Sequence, residues 1–128
     1  MRLLLDTHAL LWWFTDDPRL SAVARKLIGD EANDILVSAA SAWEIATKQR
    51  LGKLDRVPDA ARRFAELVEA DGFIHLPVNY RHALRAGGYD IEHRDPFDRM
   101  LAAQGEIEAL PLLTRDPAFQ RFGTKTVW

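Results

Sequence analysis

Carboxylate side chains stand at points of this sequence where a short apolar run ends or a helix begins. Asp6 directly follows the apolar run at residues 3–5, and Asp116 follows a second run at residues 112–114 by two positions. The acids in positions of this kind are Asp6, Glu44, Asp95, Asp98 and Asp116. Several carboxylates close together cannot all stay ionised without a counter-charge. If the fold brings them together, a hard divalent cation such as Mg²⁺ or Mn²⁺ suits their oxygens best.

A divalent cation held by carboxylates is suited to hydrolysis of a nucleic-acid backbone. Such an ion lowers the pKa of a bound water and holds the oxygens of a phosphodiester. This chemistry needs no Ser, Cys or His nucleophile, and the sequence contains no cysteine. The sequence also lacks a glycine-rich phosphate loop, which excludes nucleotide hydrolysis of the P-loop kind.

Each acid also has an ordinary structural explanation. Asp95-Pro96 and Asp116-Pro117 are typical helix starts, with the acid at the N-cap and proline at the first helical position. Asp6 is placed to cap a helix that begins at Thr7. A carboxylate at a helix start can cap the helix and bind a metal at once, so spacing alone leaves both interpretations open.

Glu44 has two structural explanations of its own. Ser41 and Glu44 have the spacing of a capping box, in which each side chain bonds the backbone of the other. Glu44 and Lys48 have the i,i+4 spacing of a surface ion pair on a helix. Neither explanation excludes a place for Glu44 in a metal site.

The acids meet only if a regular framework brings them together. Short apolar runs predict strands at residues 3–5, 35–37, 73–76 and 110–114, with a final edge strand at 124–128. Apolar periodicity, caps and breakers predict helices over residues 9–14, 21–29, 41–51, 58–70, 81–86, 96–109 and 117–122. Strands that alternate with helices predict an α/β fold in three α/β/α layers around a parallel sheet. Right-handed crossovers then place the carboxyl ends of all strands at one edge, where ligands bind in such folds.

The composition predicts one domain over residues 1–128. A chain of 128 residues with 48% hydrophobic residues is long enough to bury a core without disulfides. The lack of cysteine excludes thiol nucleophiles and Cys-ligated zinc, and it suits a reducing cytoplasm. No apolar run approaches the roughly 20 residues of a membrane span, and the start lacks the features of a signal peptide. We therefore expect a cytoplasmic protein with no membrane partner.

Four segments of the chain follow one another in a distinctive order. They are LLLDTHALLW at residues 3–12, SAASAWEIA at 38–46 with GKL at 52–54, HRDPFDRMLAAQ at 93–104, and LTRD at 113–116. Together they resemble the PIN-domain family, and within it the VapC-type toxins of bacterial toxin–antitoxin pairs. The resemblance covers nearly the whole chain, and every acidic position of the pattern is filled.

This resemblance implies a three-layer α/β/α fold and a Mg²⁺- or Mn²⁺-dependent endoribonuclease. The acids that match the family's quartet are Asp6, Glu44, Asp98 and Asp116. By hypothesis the three aspartates bind metal, directly or through water, and the glutamate binds through water or orients the attacking hydroxide. Asp95 matches an extra acid of this subgroup. We expect Thr7 and Thr114 to hold the carboxylates in place by hydrogen bonds.

Basic and acidic residues are unevenly distributed, although the net charge is only −2. Residues 48–63 contain six basic and two acidic residues, whereas residues 88–116 contain seven acidic and three basic residues. We therefore expect an acidic metal site beside a basic rim that binds RNA. The candidate contacts to RNA phosphates are Lys48, Arg94, Arg99 and Arg115. The alternative is that these cations lie on solvated faces and pair with nearby acids.

The resemblance also implies protein partners. VapC-like proteins tend to be dimers, and a cognate antitoxin would lay a peptide in a groove beside the helices predicted near 41–53 and 58–70. Trp12 and Trp13 are adjacent in the sequence, so we expect that only one of them faces the core and that the other lies at a subunit interface.

Other functions remain open on the sequence alone. A phosphatase of the aspartate-nucleophile class requires a second acid two residues after the first, where this chain has His8. A receiver-like phospho-acceptor with a Mg²⁺ pocket requires a lysine after a late strand, where this chain has Arg115. A catalytically silent Mg²⁺-binding interaction module is the third alternative, and the filled quartet argues against it. None of the four histidines, at positions 8, 75, 82 and 93, has the spacing of a metal site.

Overall fold

The computed structural model of the chain describes residues 1–54, 56–57 and 59–128. Within these residues the strands are β1 (Arg2–Leu5), β2 (Asp34–Ser38), β3 (Ile74–Leu76), β4 (Leu112–Leu113) and β5 (Thr126–Val127). The helices are α1 (Thr7–Phe14), α2 (Ala22–Gly29), α3 (Ala39–Arg50), α4 (Phe64–Ala70), α5 (Tyr80–Gly88) and α6 (Pro96–Ile107), followed by a 3-10 helix at Pro117–Phe122. None of the helices in the described residues has the length and apolar character that a membrane span requires.

The strands of the described residues form one parallel sheet in the order β3-β2-β1-β4-β5. The chain moves outward from the central strand β1 through β2 to β3, and then returns to the other side of β1 to form β4. In sheets of this kind, such a change of direction opens a crevice at the carboxyl ends of the two strands involved. Asp6 follows β1 and Thr114 follows β4, so both residues lie at this crevice.

Side chains along β1 alternate between two hydrophobic cores, as the period of a strand requires. Leu3 and Leu5 enter a core that includes residues of α1, α2, α3 and α4. Leu4 enters a second core, on the opposite face, that includes residues of α5 and α6. The predicted α/β/α fold with a central parallel sheet is therefore confirmed.

Helix α3 begins two residues earlier than predicted because a different serine caps it. The Ser38 hydroxyl accepts a hydrogen bond from the Ala40 N–H at 3.0 Å, so Ser38 is the N-cap. Ser41 lies inside the helix, where its hydroxyl and that of Thr7 are 2.9 Å apart. The predicted capping box between Ser41 and Glu44 is therefore wrong.

Other element boundaries also differ from the predictions. The helix predicted over 58–70 begins only at Phe64, residues 59–63 form turns, and Pro58 lies outside the described residues. Helix α5 continues through Gly87-Gly88, and at its start Asn79 and His82 form a capping box. The strand predicted over 110–114 is limited to Leu112–Leu113, the two residues that pair with both β1 and β5.

The Asp17 carboxylate, in the segment between α1 and α2, is a pH-sensitive stabilising group. It is 3% exposed, and it accepts hydrogen bonds from Arg19 Nε at 3.1 Å, Arg19 Nη2 at 2.8 Å and Arg56 Nη1 at 3.4 Å. The hydrogen bonds from Arg19 lower the pKa of Asp17 from 3.8 to about 2. Because folding lowers this pKa, the carboxylate stabilises the fold above its ordinary pKa and loses that effect as the pH falls toward 2.

We therefore expect Asp17→Asn to lower the urea midpoint at pH 7, and the difference from wild type to shrink between about pH 4 and pH 2. Urea titrations followed by circular dichroism at several pH values measure this difference. Glu31→Gln, at an exposed acid, is the control and should change the midpoint little at any pH. A difference for Asp17→Asn that stays constant down to pH 2 would show that the charge of Asp17 does not stabilise the fold.

Candidate metal centre and adjoining cleft

Asp6 is a buried acid at the carboxyl end of the central strand. It occupies the N-cap position of α1, yet its side chain makes no capping hydrogen bond. Instead, Thr114 Oγ1 donates a hydrogen bond to Asp6 Oδ2 at 2.7 Å, and Asp6 is only 5% exposed. The helix-capping explanation of this acid is therefore wrong. Burial raises the pKa of Asp6, the hydrogen bond from Thr114 and the charge of His8 oppose that rise, and the charge of Glu44 adds to it.

Glu44 is a buried acid on α3, close enough to Asp6 for their charges to interact. Its Oε2 lies 2.8 Å from Lys48 Nζ, so the predicted i,i+4 ion pair is present. The pair is not an ordinary surface pair, because the carboxylate is buried and only the lysine is partly exposed. Lys48 therefore neutralises Glu44 beside Asp6.

Two hydrogen bonds position α3 relative to the other elements of the site. The Thr7 and Ser41 hydroxyls join the start of α1 to α3, so the structure places Thr7 against a hydroxyl and not against an acid. The Ser38 hydroxyl donates to Gln104 Oε1 at 2.5 Å and joins the start of α3 to α6. All four side chains are buried. Ser38 and Gln104 both lie in the segments that resemble PIN domains, but no local pattern predicts that they pair.

Asp95 and Asp98, at the start of α6, have different contacts. Asp95 Oδ1 accepts hydrogen bonds from the N–H groups of Phe97 at 2.9 Å and Asp98 at 3.1 Å, so its capping role is present. Asp98 is partly buried, and its Oδ2 lies 2.9 Å from His93 Nε2. Burial raises the pKa of Asp98 to about 6, the hydrogen bond with His93 opposes that rise, and the charges of Asp95 and Asp6 add to it. Sequence reasoning missed His93 because its five-residue spacing from Asp98 matches no helix or metal motif.

Asp116 is exposed and caps the 3-10 helix by accepting a hydrogen bond from the Ala118 N–H at 2.9 Å. Thr114 connects it to Asp6, because Thr114 Oγ1 donates to Asp6 and accepts from the Asp116 N–H at 3.0 Å. Asp6 and Asp116 line one cleft of about 290 Å³, which we call the Asp6 cleft. Its other lining residues are His8, Ala9, Trp12, Arg115, Pro117 and Trp128.

Three acids, Glu44, Asp98 and Asp116, lie near Asp6, and each of them bonds a partner of its own. Asp6 interacts with Glu44 and with Asp98, and it shares a cleft with Asp116. Across residues 1–54, 56–57 and 59–128, no three His, Cys, Asp or Glu side chains stand together in a geometry ready to hold a metal ion. The donor type nevertheless fits Mg²⁺ or Mn²⁺, because the set is carboxylate and the donor to buried Asp6 is a neutral hydroxyl.

Arg99, one of the four predicted RNA contacts, has a structural position. Its three guanidinium nitrogens donate to four backbone carbonyls, those of Ala86 at 2.8 Å, Tyr89 at 2.5 Å, and Ile91 and His93 at 3.0 Å each. These bonds fix the segment between α5 and α6, which includes His93. All three guanidinium nitrogens are bonded to the protein, so Arg99 has a structural role in place of the predicted contact with RNA.

The other predicted RNA contacts lie in different surroundings. Lys48 is held by Glu44, whereas Arg94 and Arg115 are exposed. Arg115 lies over the Trp12 ring, with Cζ 4.6 Å from the ring centroid. Arg94 and Arg115 therefore have side chains that an RNA strand can reach.

The adjacent tryptophans both pack against the same core, so the expectation that only one of them faces the core is wrong. Trp12 is 8% exposed and belongs to the core that includes α1 and α2, and Trp13 packs against that core from its edge. Trp13 Nε1 also donates to Asp71 Oδ2 at 3.0 Å. The exposed tryptophan is Trp43, at 58%, which packs edge-on against Phe97 with ring centroids 4.6 Å apart.

A parallel sheet in this order, with acids around the carboxyl end of its central strand, defines a PIN-like α/β domain. The sequence matches the PIN domain family over residues 3–125. The chain therefore belongs to the PIN domain family, as the resemblance of its four segments implied.

Known proteins support this assignment. Ribonuclease VapC16 of Mycobacterium tuberculosis (strain ATCC 25618 / H37Rv) is 42% identical over 77 residues, which cover 56% of this chain and 55% of the relative. The chain thus spans about half the length of the curated relative it matches.

Two solved structures share the fold. The crystal structure of VapBC2 from Rickettsia felis bound to a DNA fragment from their promoter aligns with a TM-score of 0.66 and 14% identity, covering 100% of this chain and 98% of the other. The structure of FitAB bound to an IR36 DNA fragment aligns with a TM-score of 0.64 and 18% identity, covering 99% and 94%. At these identities the two structures show the fold alone.

Proposed function

We propose that this PIN domain is a Mg²⁺- or Mn²⁺-dependent endoribonuclease, the toxin of a toxin–antitoxin pair. The observation that carries the proposal is Asp6, a buried carboxylate that caps no helix and is held by the neutral hydroxyl of Thr114. Burial of a charge is costly unless the charge is paired or binds a metal. Three more acids lie around it, and the similarity to Ribonuclease VapC16 supports RNA as the substrate.

In this proposal the chain binds the metal through Asp6, Asp98 and Asp116, with Glu44 acting through water and Asp95 as an additional acid. When bound, the ion lowers the pKa of a water and neutralises charge on the phosphate that is attacked. Thr114 orients Asp6, and His93 orients Asp98. Glu44, once released from Lys48, accepts a hydrogen bond from the attacking water and orients it toward phosphorus. Lys48 is then free to bind a phosphate oxygen.

We also propose that the 128 residues act as one domain and that the protein is cytoplasmic. Two protein partners complete the proposal. The first is a cognate antitoxin, whose peptide would lie beside α3 and α4. A cleft of about 370 Å³ near α4 supports this, since it combines apolar and basic side chains such as Phe14, Leu67 and Arg63. The second is another copy of the chain, which the exposed apolar side chains of Tyr80 and Leu84 on α5 support.

Removal of the metal is expected to abolish RNA cleavage. The purified full chain should cut a total-RNA pool in Mg²⁺, lose this activity in chelator, and regain it with Mn²⁺. A second measurement does not depend on activity. Mg²⁺ should raise the thermal unfolding midpoint of the wild type but not of Asp6→Asn, because a ligand at 100 times its Kd stabilises the fold by about 2.7 kcal/mol.

These two measurements separate the alternatives. Cleavage that persists in chelator contradicts metal-dependent hydrolysis. Stabilisation by Mg²⁺ without cleavage of any RNA would instead identify a catalytically silent metal-binding module. If Mg²⁺ causes neither stabilisation nor cleavage, both the ribonuclease and the silent metal-binding module are excluded.

A further inference from the structure

The Asp6 cleft contains rings and a guanidinium group that metal binding does not require. They belong to His8, Trp12, Arg115 and Trp128. We propose that this cleft receives one unpaired nucleobase of single-stranded RNA, beside the phosphodiester bond that is cut. The inference rests on the proposed ribonuclease function and specifies the substrate class of that same site.

The aromatic groups of the cleft are arranged around Trp12. Its ring centroid lies 5.8 Å from that of His8 and 5.9 Å from that of Trp128, which meets it edge-on at 68°. Trp12 itself is nearly buried, whereas His8 is exposed and Trp128 is partly exposed. His8 and Trp128 therefore present ring surface at the cleft, on which an unstacked base can pack.

Arg115 adds a hydrogen-bond donor to the same cleft. The Trp12 ring holds its guanidinium at 4.6 Å, and in the described residues no carboxylate lies within ion-pair distance of it. Its N–H groups therefore remain available for the edge of a base or for a phosphate oxygen, and its face remains available for stacking. This differs from Arg19, which also lies over Trp12 but bonds Asp17.

The position and size of the cleft favour a single base. Its volume of about 290 Å³ is at the low end of small-molecule pockets, which span roughly 300–1,000 Å³. Trp12 also lines a second cleft, of about 240 Å³. Its three basic side chains, those of Arg19, Lys53 and Arg56, outnumber its one acid, Asp17, which Arg19 and Arg56 both bond. A strand with one base in the Asp6 cleft can thus continue past Trp12 along cations that suit its phosphates. A base held in a duplex cannot enter in this way.

The test measures RNA binding in the Asp6→Asn background, where cleavage is not expected to destroy the probe. The probe is a fluorescein-labelled 12-nucleotide single-stranded RNA, followed by anisotropy. Arg115→Ala and Trp128→Ala should each raise Kd about 5- to 150-fold, the range for loss of one stacked base. Trp128→Phe should restore most of the affinity. Arg121→Ala, at an exposed arginine of the 3-10 helix that follows Arg115, is the matched control and should change Kd less than about twofold.

A second series identifies the bound group as a base. The same RNA with one abasic residue, moved along the strand, should lose affinity strongly at one position and little elsewhere, and Trp128→Ala should cancel that dependence. The fully paired duplex should bind more weakly and be insensitive to Trp128→Ala. Equal losses for single strand and duplex would show a phosphate contact only and overturn the base site.

The outcomes distinguish this inference from the proposed function. If the otherwise unmodified chain cuts RNA but Arg115→Ala and Trp128→Ala leave RNA binding unchanged, the base site is wrong and the ribonuclease assignment stands. If these variants weaken RNA binding in a chain that cuts no RNA, the base site stands alone. If they impair binding of a protein partner while RNA binding is unchanged, the cleft is a peptide site and the inference is overturned.

Discussion

Replacement of Asp6 by Asn should lower Mg²⁺-dependent RNA cleavage by at least about 100-fold while making the metal-free protein more stable. The first effect follows from loss of a central metal ligand, since loss of a residue that merely supports a ligand costs about 10- to 100-fold. The second follows from the burial of Asp6, because the uncharged amide removes a desolvated charge whose hydrogen-bond donor is a neutral hydroxyl. Asparagine retains an oxygen that accepts the hydrogen bond from Thr114.

Two measurements check this result at pH 7: cleavage rates in Mg²⁺, and thermal unfolding midpoints in chelator. Asp90→Asn removes the same charge at an exposed position and is the matched control, so it should leave both values nearly unchanged. Retained cleavage by Asp6→Asn would exclude Asp6 from the mechanism. A lower midpoint in chelator would mean that the Asp6 carboxylate stabilises the fold, which would contradict a net cost of burying its charge.

The two effects expected of Asp6→Asn, higher stability and lower activity, are those of a trade-off between stability and function. Active sites often conserve groups that reduce stability, so that substitution improves the fold and removes the activity. Asp6 meets the structural condition for this trade-off, because burial and the charge of Glu44 both disfavour its charged form in the absence of metal. Binding of a cation offsets that cost, and this is why the stabilising effect of Asp6→Asn should disappear in saturating Mg²⁺.

Arg99→Ala should lower the free energy of unfolding by about 3 kcal/mol, a large part of the roughly 5–15 kcal/mol typical of a domain. The side chain bonds four backbone carbonyls, one in α5 and three in the segment between α5 and α6. Alanine removes this donor from all four, although the Ile91 carbonyl keeps a hydrogen bond from the His93 N–H at 2.8 Å. A loss of this size lowers the thermal midpoint by about 10 °C in a chain of this length. Cleavage should fall as well, because the same bonds position His93, which contacts Asp98.

Arg99→Lys tests whether the forked shape of the guanidinium matters. A lysine keeps the charge but cannot bond four separate carbonyls, so it should recover only a small part of the lost stability. Arg94→Ala, at an exposed arginine five residues earlier, is the control and should change stability by less than about 0.5 kcal/mol. If Arg99→Ala is as stable as Arg94→Ala but binds RNA more weakly, Arg99 is an RNA contact as the sequence alone indicated.

The sequence by itself determined the fold and the positions of the acids along it. Short apolar runs such as residues 3–5, separated by capped helical segments, are local features, and local features are sufficient to predict alternating strands and helices. This alternation predicts a parallel sheet, and right-handed crossovers then place Asp6 and Asp116 at its carboxyl edge. Helix ends were less predictable, because neighbouring serines such as Ser38 and Ser41 are equally good caps.

Only the tertiary structure decided what each polar side chain does. Asp6 and Thr114 are 108 positions apart and bond because β1 and β4 are neighbours in the sheet, an order that no local pattern records. The same holds for Ser38 with Gln104, 66 positions apart. Arg99 is a candidate RNA contact in the sequence because it is basic and follows the proposed ligand Asp98. Its carbonyl acceptors are brought to it by the packing of α5 on α6. A residue type limits which bonds a side chain can form, whereas the packing of distant segments selects the partner.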